Sequence, residues 1–346
     1  MDNFYIAYRD PLFGIIVFFL LVFIVSFVNY WWGVYKNRDE EAHIQKFIKK
    51  FQIDEGDKEY RVIFEDKNLT LESIILLAKS YEKIGDYEKS IGIYLYALEK
   101  FKKRAQKQQL LFLLGKVYLR AGFIERAREI FIGSLKISPR HEASLKYLTV
   151  TYELLKEYDK ALEVLDALEE LGVEVAKEKK YLFALSLSKK GMDIKKKKKS
   201  LLKLCDLKST QRVYLQFLLS NGFPLEYEEL KEFDFYNLLD TFWYIDTRAI
   251  DEKFVTNLKL IRDIFSAKGV IKNDGECDIF ELEILKHLVN DGYKKAGLSF
   301  EYFCKNCKNS YPFYFYRCPN CHSLESVRIL PKVIKENKNE ENISLL

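Results

Sequence analysis

Glycine and proline are scarce in this chain, at 15 and 6 in 346 residues. That scarcity argues against a turn-rich β architecture and favours helices. Histidine is scarcer still. The 4 histidines, His43, His141, His287 and His322, are scattered. There is no H-E-x-x-H pair, no glycine-rich phosphate loop and no nucleophile elbow. No catalytic constellation stands out, so the chain reads as a non-enzyme. The net charge of +5 is modest and does not by itself call for nucleic acid. Cysteine is limited to 6 residues. Two of them, Cys205 and Cys277, lie far apart in helical-looking sequence and read as reduced core thiols.

The other four cysteines are concentrated near the C-terminus. Cys304, Cys307, Cys318 and Cys321 form two C-x-x-C pairs separated by 10 residues. Each pair closes a tight knuckle that aims two sulfurs at one point. Two facing knuckles make a tetrahedral four-sulfur site, suited to one zinc or one iron ion. Four thiolates leave no open position for a substrate water, so the site reads as structural or electron-carrying. His322 follows the last cysteine and is expected at the surface, outside the ligand set. Lys305, Lys308 and Arg317 are placed to offset the net charge of a four-thiolate site. Between the knuckles, Tyr311, Phe313 and Phe315 are expected on one face of a strand and Tyr314 and Tyr316 on the other. Residues 326–330 can add a short strand. So small a ribbon has little core of its own. Metal binding is expected to supply most of its folding energy, with its aromatics docked on the last helices.

The other end of the chain is apolar. Residues 12–28 carry no charge, and Tyr30, Trp31 and Trp32 form an aromatic belt. About 20 apolar residues span a bilayer, and residues 12–35 supply them. The acidic Asp2 and Asp10 and the lack of an A-x-A site speak against a cleaved signal peptide. Lys36, Arg38, Lys46, Lys49 and Lys50 follow the span. The positive-inside rule then puts the bulk of the chain in the cytoplasm.

Between these ends the sequence repeats itself. One unit covers residues 71–104, with Leu77, Ala78, Tyr81, Gly85, Tyr87, Tyr94 and Ala97. The next covers 108–141, with Leu114, Gly115, Tyr118, Gly122, Ala127, Phe131 and Pro139. A third covers 142–175, with Leu148, Tyr152, Tyr158 and Ala161. The second and third start 34 residues apart, the tetratricopeptide period of one helix–turn–helix per unit. Small residues let the two helices approach, and aromatics fill the gaps between units. Binding of an extended or helical peptide is the default activity of such an array.

Past residue 175 the pattern degrades. A helix is expected at 181–191 with a partner at 200–207, then helical stretches at 213–221, 228–245, 252–267 and 279–294. The lysine run 195–199 reads as a solvated inter-helix loop, with contact to anionic lipid or an acidic protein as the sharper alternative. Phe233, Phe235, Tyr236, Phe242, Trp243 and Tyr244 read as core. The expected organisation is an N-terminal segment and membrane span (1–36), a linker with a helix near 42–51 (37–70), three clear repeats (71–175), divergent helical repeats (176–298), a metal ribbon (299–330) and a disordered tail (331–346). The fold class is mainly α: an α-solenoid after one transmembrane helix, closed by a small β ribbon.

These parts together resemble the lipopolysaccharide assembly protein B family. The segment Tyr302-Phe303-Cys304-Lys305-Asn306-Cys307 through Tyr314-Phe315-Tyr316-Arg317-Cys318-Pro319-Asn320-Cys321 is similar to that family's rubredoxin-like domain. One departure is Lys308, where such knuckles usually carry glycine. The resemblance implies that the four cysteines hold one iron or zinc ion. It also implies an adaptor at the inner (cytoplasmic) membrane that sets lipopolysaccharide level. Its implied partners are an FtsH-type membrane protease, the deacetylase that commits lipid A synthesis, and other lipopolysaccharide enzymes; no nucleic acid is expected. A general tetratricopeptide scaffold for another membrane complex is the second reading, and an electron-transfer protein with an iron centre the third.

Overall fold

The computed structural model describes residues 17–29, 31, 70–293 and 295–335. Residues 17–29 and 31 are helical and exposed. The rest of the expected span at 12–35, the expected helix at 42–51 and residues 336–346 lie outside the described residues. Among the described residues no helix is long and apolar enough to cross a membrane. The chain divides into two compact units, residues 1–151 and 152–346, taken in turn.

In the first unit the repeat sequence becomes helical hairpins. Helices α1 (Leu71–Lys83) and α2 (Tyr87–Lys100) form one, and α3 (Arg104–Arg120) and α4 (Ile124–Ile137) the next. Helix α5 (Glu142–Leu154) crosses the boundary between units. Thr70 and Asp86 cap α1 and α2 by accepting from the backbone N–H of Ser73 and Lys89. The two inter-helix turns are built alike. Gly85 and Gly122 adopt φ of 84° and 82°, where a side chain is disfavoured. The next N–H then reaches back to a tyrosine carbonyl, Asp86 to Tyr81 at 3.0 Å and Phe123 to Tyr118 at 2.9 Å.

The small residues sit where helices meet. Ala78, Ala97 and Ala127 are fully buried. Gly115 faces the Phe131 ring, and a Cβ there would lie 2.6 Å from Phe131 Cε1. His141 precedes α5 and caps it. Its Nδ1 accepts from the Ser144 N–H at 3.2 Å and lies 2.7 Å from Ser144 Oγ. Ser144 Oγ is in turn 2.9 Å from Ser134 Oγ, in the core. Burial lowers the pKa of His141 below its ordinary value.

The second unit continues with α6 (Tyr158–Glu170), α7 (Ala176–Lys189), α8 (Ile194–Leu202) and α9 (Lys208–Ser220). Shorter pieces follow: α10 (Tyr227–Leu230), a 3₁₀ turn (Phe235–Leu238), α11 (Leu239–Tyr244), α12 (Glu252–Asn257), α13 (Lys259–Ala267) and α14 (Phe280–Asn290). The described residues of this unit end in an antiparallel sheet of order β2-β1-β3, with β1 (Ala296–Cys304), β2 (Ser310–Tyr311) and β3 (Val327–Lys335). The third repeat closes its turn as the first two do, although Lys156 replaces glycine there at φ 62°. Glu157 N–H donates to Tyr152 O at 2.9 Å.

Several expectations need correction here. The lysine run is not a loop but the body of α8. Asp193 caps it by accepting from Lys196 N–H, and lysine is a good helix former. The helix partnering α7 therefore starts ahead of the expected 200–207. The stretch 228–245 is broken at Asp234, because Phe233, Phe235, Leu238 and Phe242 must all reach the core. The stretch 252–267 breaks at Leu258, and Arg262 donates to the freed carbonyls of Val255 and Thr256. Residues 331–335, expected in the tail, extend β3 against β1. Pro331 is tolerated because β3 is an edge strand. Of the aromatic cluster, Phe233, Phe235, Phe242 and Trp243 are buried, whereas Tyr236 and Tyr244 stand at the surface.

Two predictions follow from the first unit. Gly115→Ala gains about 1 kcal/mol of helix propensity but forces a methyl onto the fully buried Phe131. Overpacking of that kind costs about 1–3 kcal/mol, so a lower denaturation midpoint is expected; a raised midpoint would show that the ring can yield. His141 has a depressed folded-state pKa, so its cap is intact above the unfolded value and is lost as pH falls through the folded value. Stability should therefore drop on acidification below about pH 6.5. Asn at position 141 keeps a cap that does not titrate, and denaturation at pH 5 and pH 7 should show a smaller drop for it.

Candidate metal centre

The four cysteines predicted as ligands come together. The Sγ atoms of Cys304, Cys307, Cys318 and Cys321 all lie within 4.8 Å of one another. Cys304 Sγ is 3.7 Å from Cys321 Sγ, and Cys307 Sγ is 3.6 Å from Cys318 Sγ. A tetrahedron with metal–sulfur bonds of about 2.3 Å has edges of about 3.8 Å. A disulfide would need about 2.05 Å. The spacing thus suits four thiolates around one ion, and the donor set fits zinc or iron.

The two knuckles repeat each other in backbone terms. Lys308 N–H donates to Cys304 O at 3.0 Å, and His322 N–H to Cys318 O at 2.9 Å. Cys304 N–H donates to Asn309 O at 2.9 Å, and Cys318 N–H to Ser323 O at 3.0 Å. Lys308 and His322 take φ of 66° and 57°. The missing glycine at 308 therefore does not change the turn. Lysine adopts the left-handed conformation, which disfavours a side chain, and its Nζ donates to Lys305 O at 2.7 Å.

Polar groups surround the sulfurs. Cys304 Sγ lies 3.3 Å from the Ser326 hydroxyl, and Cys321 Sγ 3.1 Å from that of Ser323. Asn306 Nδ2 donates to Cys321 Sγ at 3.4 Å. Burial acts to raise the Cys304 thiol, but Ser326 and the backbone N–H groups of Cys307 and Asn306 outweigh it and hold it at about 6. At Cys321 burial is likewise outweighed, chiefly by Ser323, and the pKa is lowered. Burial pushes Cys318 up to about 12. A bound cation favours the thiolate at all four. Cys205 and Cys277, by contrast, are free thiols raised to about 12 by burial.

The aromatic segment before the second knuckle is strand only at Ser310–Tyr311. Its expected faces are kept by ring packing instead. Tyr311 packs on Phe315 at 5.3 Å and on Phe313 at 6.0 Å, while Tyr314 packs on Tyr316 at 5.2 Å. Arg317 was expected to offset the thiolates but is committed elsewhere. Its Nε donates to Glu153 Oε2 at 2.7 Å and its guanidinium donates to His322 O at 2.8 Å. That contact leaves His322 half-buried rather than exposed.

The ribbon is locked to the helices of its unit by groups that the sequence did not announce. Arg212 on α9 and Asp240 on α11 form a buried bidentate pair. Tyr302, two residues before Cys304, donates to Asp240 Oδ2 at 2.9 Å. The Tyr314 ring lies 3.5 Å from the Arg212 guanidinium. Tyr316 donates to Gln216 Oε1 at 2.6 Å and packs on Tyr181 at 5.4 Å. Glu325 accepts from Ser209 N–H at 2.7 Å. It thereby supplies an anion at the start of α9, whose own N-cap, Leu207, has no polar side chain. No spacing rule links Arg212 to Asp240. The only forward signal was the run of aromatics flanking the cysteines.

No family model matches the chain, and no curated protein matches it. Among solved structures it is similar to a tetratricopeptide repeat protein from Parabacteroides merdae ATCC 43184, at 14% identity and a TM-score of 0.39, over 73% of this chain and 99% of that one. By its own elements the chain is a mainly helical protein of helix–turn–helix units, ending in a small antiparallel sheet with a four-cysteine cluster.

Asp240→Asn removes the charge partner of the buried Arg212, a change that typically costs about 3–5 kcal/mol. Tyr302→Phe removes one hydrogen bond to a charged group, about 1.5–3 kcal/mol. Denaturation should show both losses, and the double variant should lose less than their sum because the groups share one network. Strict additivity would mean that Tyr302 and Asp240 act separately.

Proposed function

We propose that this protein is a non-enzymatic adaptor of the inner membrane. In this reading one N-terminal helix anchors it, the bulk of the chain lies in the cytoplasm, and it regulates lipopolysaccharide synthesis. It presents the lipid A-committing deacetylase to an FtsH-type protease and gathers lipopolysaccharide enzymes at the membrane. The observation that carries the reading is the ribbon itself, whose cysteine spacing and flanking aromatics resemble those of the lipopolysaccharide assembly protein B family. The helical hairpins support it, since such units are used for binding protein segments. The exposed, apolar helical residues 17–29 support the anchor. Confinement of adaptor and protease to one membrane raises their effective concentration.

Cys304, Cys307, Cys318 and Cys321 would hold one ion, which would cross-link the two knuckles; four thiolate ligands leave no position for a hydrolytic water. Around the site, Ser326, Ser323 and Asn306 orient the sulfurs, and Tyr302 and Tyr314 carry that order to Arg212 and Asp240.

Depletion of the protein should lengthen the half-life of the deacetylase, measured by pulse–chase immunoblotting. An unchanged half-life would sink the regulatory reading. Crosslinked pull-down from membranes should recover both protease and deacetylase. Recovery of another membrane complex in their place would make the chain a general scaffold.

A further inference from the structure

Helix α8 has a surface that the adaptor reading leaves unused. Its sequence, Ile194 to Leu202, carries five consecutive lysines and no acidic residue. These lysines divide into two sets. Lys197 and Lys198 turn inward: Lys197 Nζ donates to Ser188 O at 3.1 Å, and Lys198 Nζ pairs with Glu229 at 2.8 Å and lies over the Phe223 ring. Leu201 is buried beneath them. Lys195, Lys196 and Lys199, and Lys203 at the C-cap, are exposed. Among the described residues none of these four ammonium groups has an ion-pair or hydrogen-bond partner.

Their positions fall on one side of the helix. At 3.6 residues per turn, the four occupy an arc of roughly 100°. Neighbouring basic residues are already engaged, Lys190 with Asp159, Lys180 with Asp206 and Lys208 with Asp234. The nearby acids are thus neutralised or, like Asp193, bound to the helix backbone. Ile194, three and four residues before Lys197 and Lys198, falls on their side of the helix and outside this strip. A strip of free cations on one face matches an anionic lipid surface, whose phosphates attract polybasic segments.

We infer that the face of α8 bearing Lys195, Lys196, Lys199 and Lys203 docks on the anionic phospholipid surface of the bilayer. An acidic protein groove would complement the same charges; the membrane-anchored reading, which keeps a bilayer within reach of the chain, selects lipid. The inference rests on that reading for proximity to the bilayer, while the charge pattern belongs to α8 itself. Each lysine near such a surface strengthens binding about fivefold, so four together give several hundredfold.

The test places the full chain in nanodiscs of phosphatidylethanolamine alone or with 30% phosphatidylglycerol, a composition chosen so that roughly one lipid in three is anionic. Hydrogen exchange of α8 is then followed. Protection of residues 194–202 in the anionic discs only, lost in high salt and lost in the K195Q/K196Q/K199Q/K203Q variant, is expected. Equal exchange in both discs overturns the proposal. So does protection by added polyglutamate in neutral discs without any response to anionic lipid, which would assign the face to an acidic protein. A chain that stays out of the discs tests the anchor separately. If it then floats with anionic vesicles at low salt only, the basic face stands and the anchor falls. If it does not float, both fall.

Discussion

The buried pair of Arg212 and Asp240 is the contact on which the second unit depends. Two charges taken out of water carry a large desolvation penalty, offset only where geometry and extra hydrogen bonds are good. Here the ribbon supplies the missing pieces. Tyr302 donates to Asp240, and the Tyr314 ring lies against Arg212. Arg212 also donates to Asn237 O at 3.1 Å. Tyr302 lies in β1 two residues before Cys304, so the strand that leads to the sulfur cluster also completes the hydrogen bonding of the buried ion pair. Order at the four cysteines and order among the helices therefore share atoms, and loosening one uncovers a charge in the other.

The same economy of parts appears in the backbone. Turns that ordinarily use glycine are closed by Lys156, Lys308, His322 and Glu325, all with positive φ. Each is held by neighbouring hydrogen bonds rather than by its own preference. Three of the four lie in the ribbon, where the knuckle hydrogen bonds fix the chain on both sides. Glu325 uses its turn to direct a carboxylate at the start of α9. A residue two positions before the ribbon's last strand thus caps a helix more than a hundred positions earlier.

How much of this was legible in the sequence varies with the range of the interaction. Capping, turn and close-packing residues act within one hairpin, so Gly85, Gly122, Ala97 and Ala127 marked the repeats directly. The cysteine pairs were equally plain, because a C-x-x-C turn brings two sulfurs together locally. The lysine run misled because its polarity suggested a loop, whereas helix formation needs only a cap at Asp193 and straight-chain residues. The stretch 228–245 misled in the opposite sense: helical composition was present, but a single helix cannot turn Phe233, Phe235 and Phe242 into one core. Arg317 was read by its charge near the sulfurs, and its partner proved to be Glu153, distant in sequence.

The sequence by itself determined the hairpin units, the four sulfur donors and the basic character of α8, since each rests on neighbours within a few residues. Only the tertiary structure decided where the ribbon is fastened, which lysines of α8 stay free, and why Tyr302 and Tyr314 flank the cysteines. Those outcomes depend on pairing charges and aromatic rings that the chain separates by dozens of residues, and burial alone selects which pairs form.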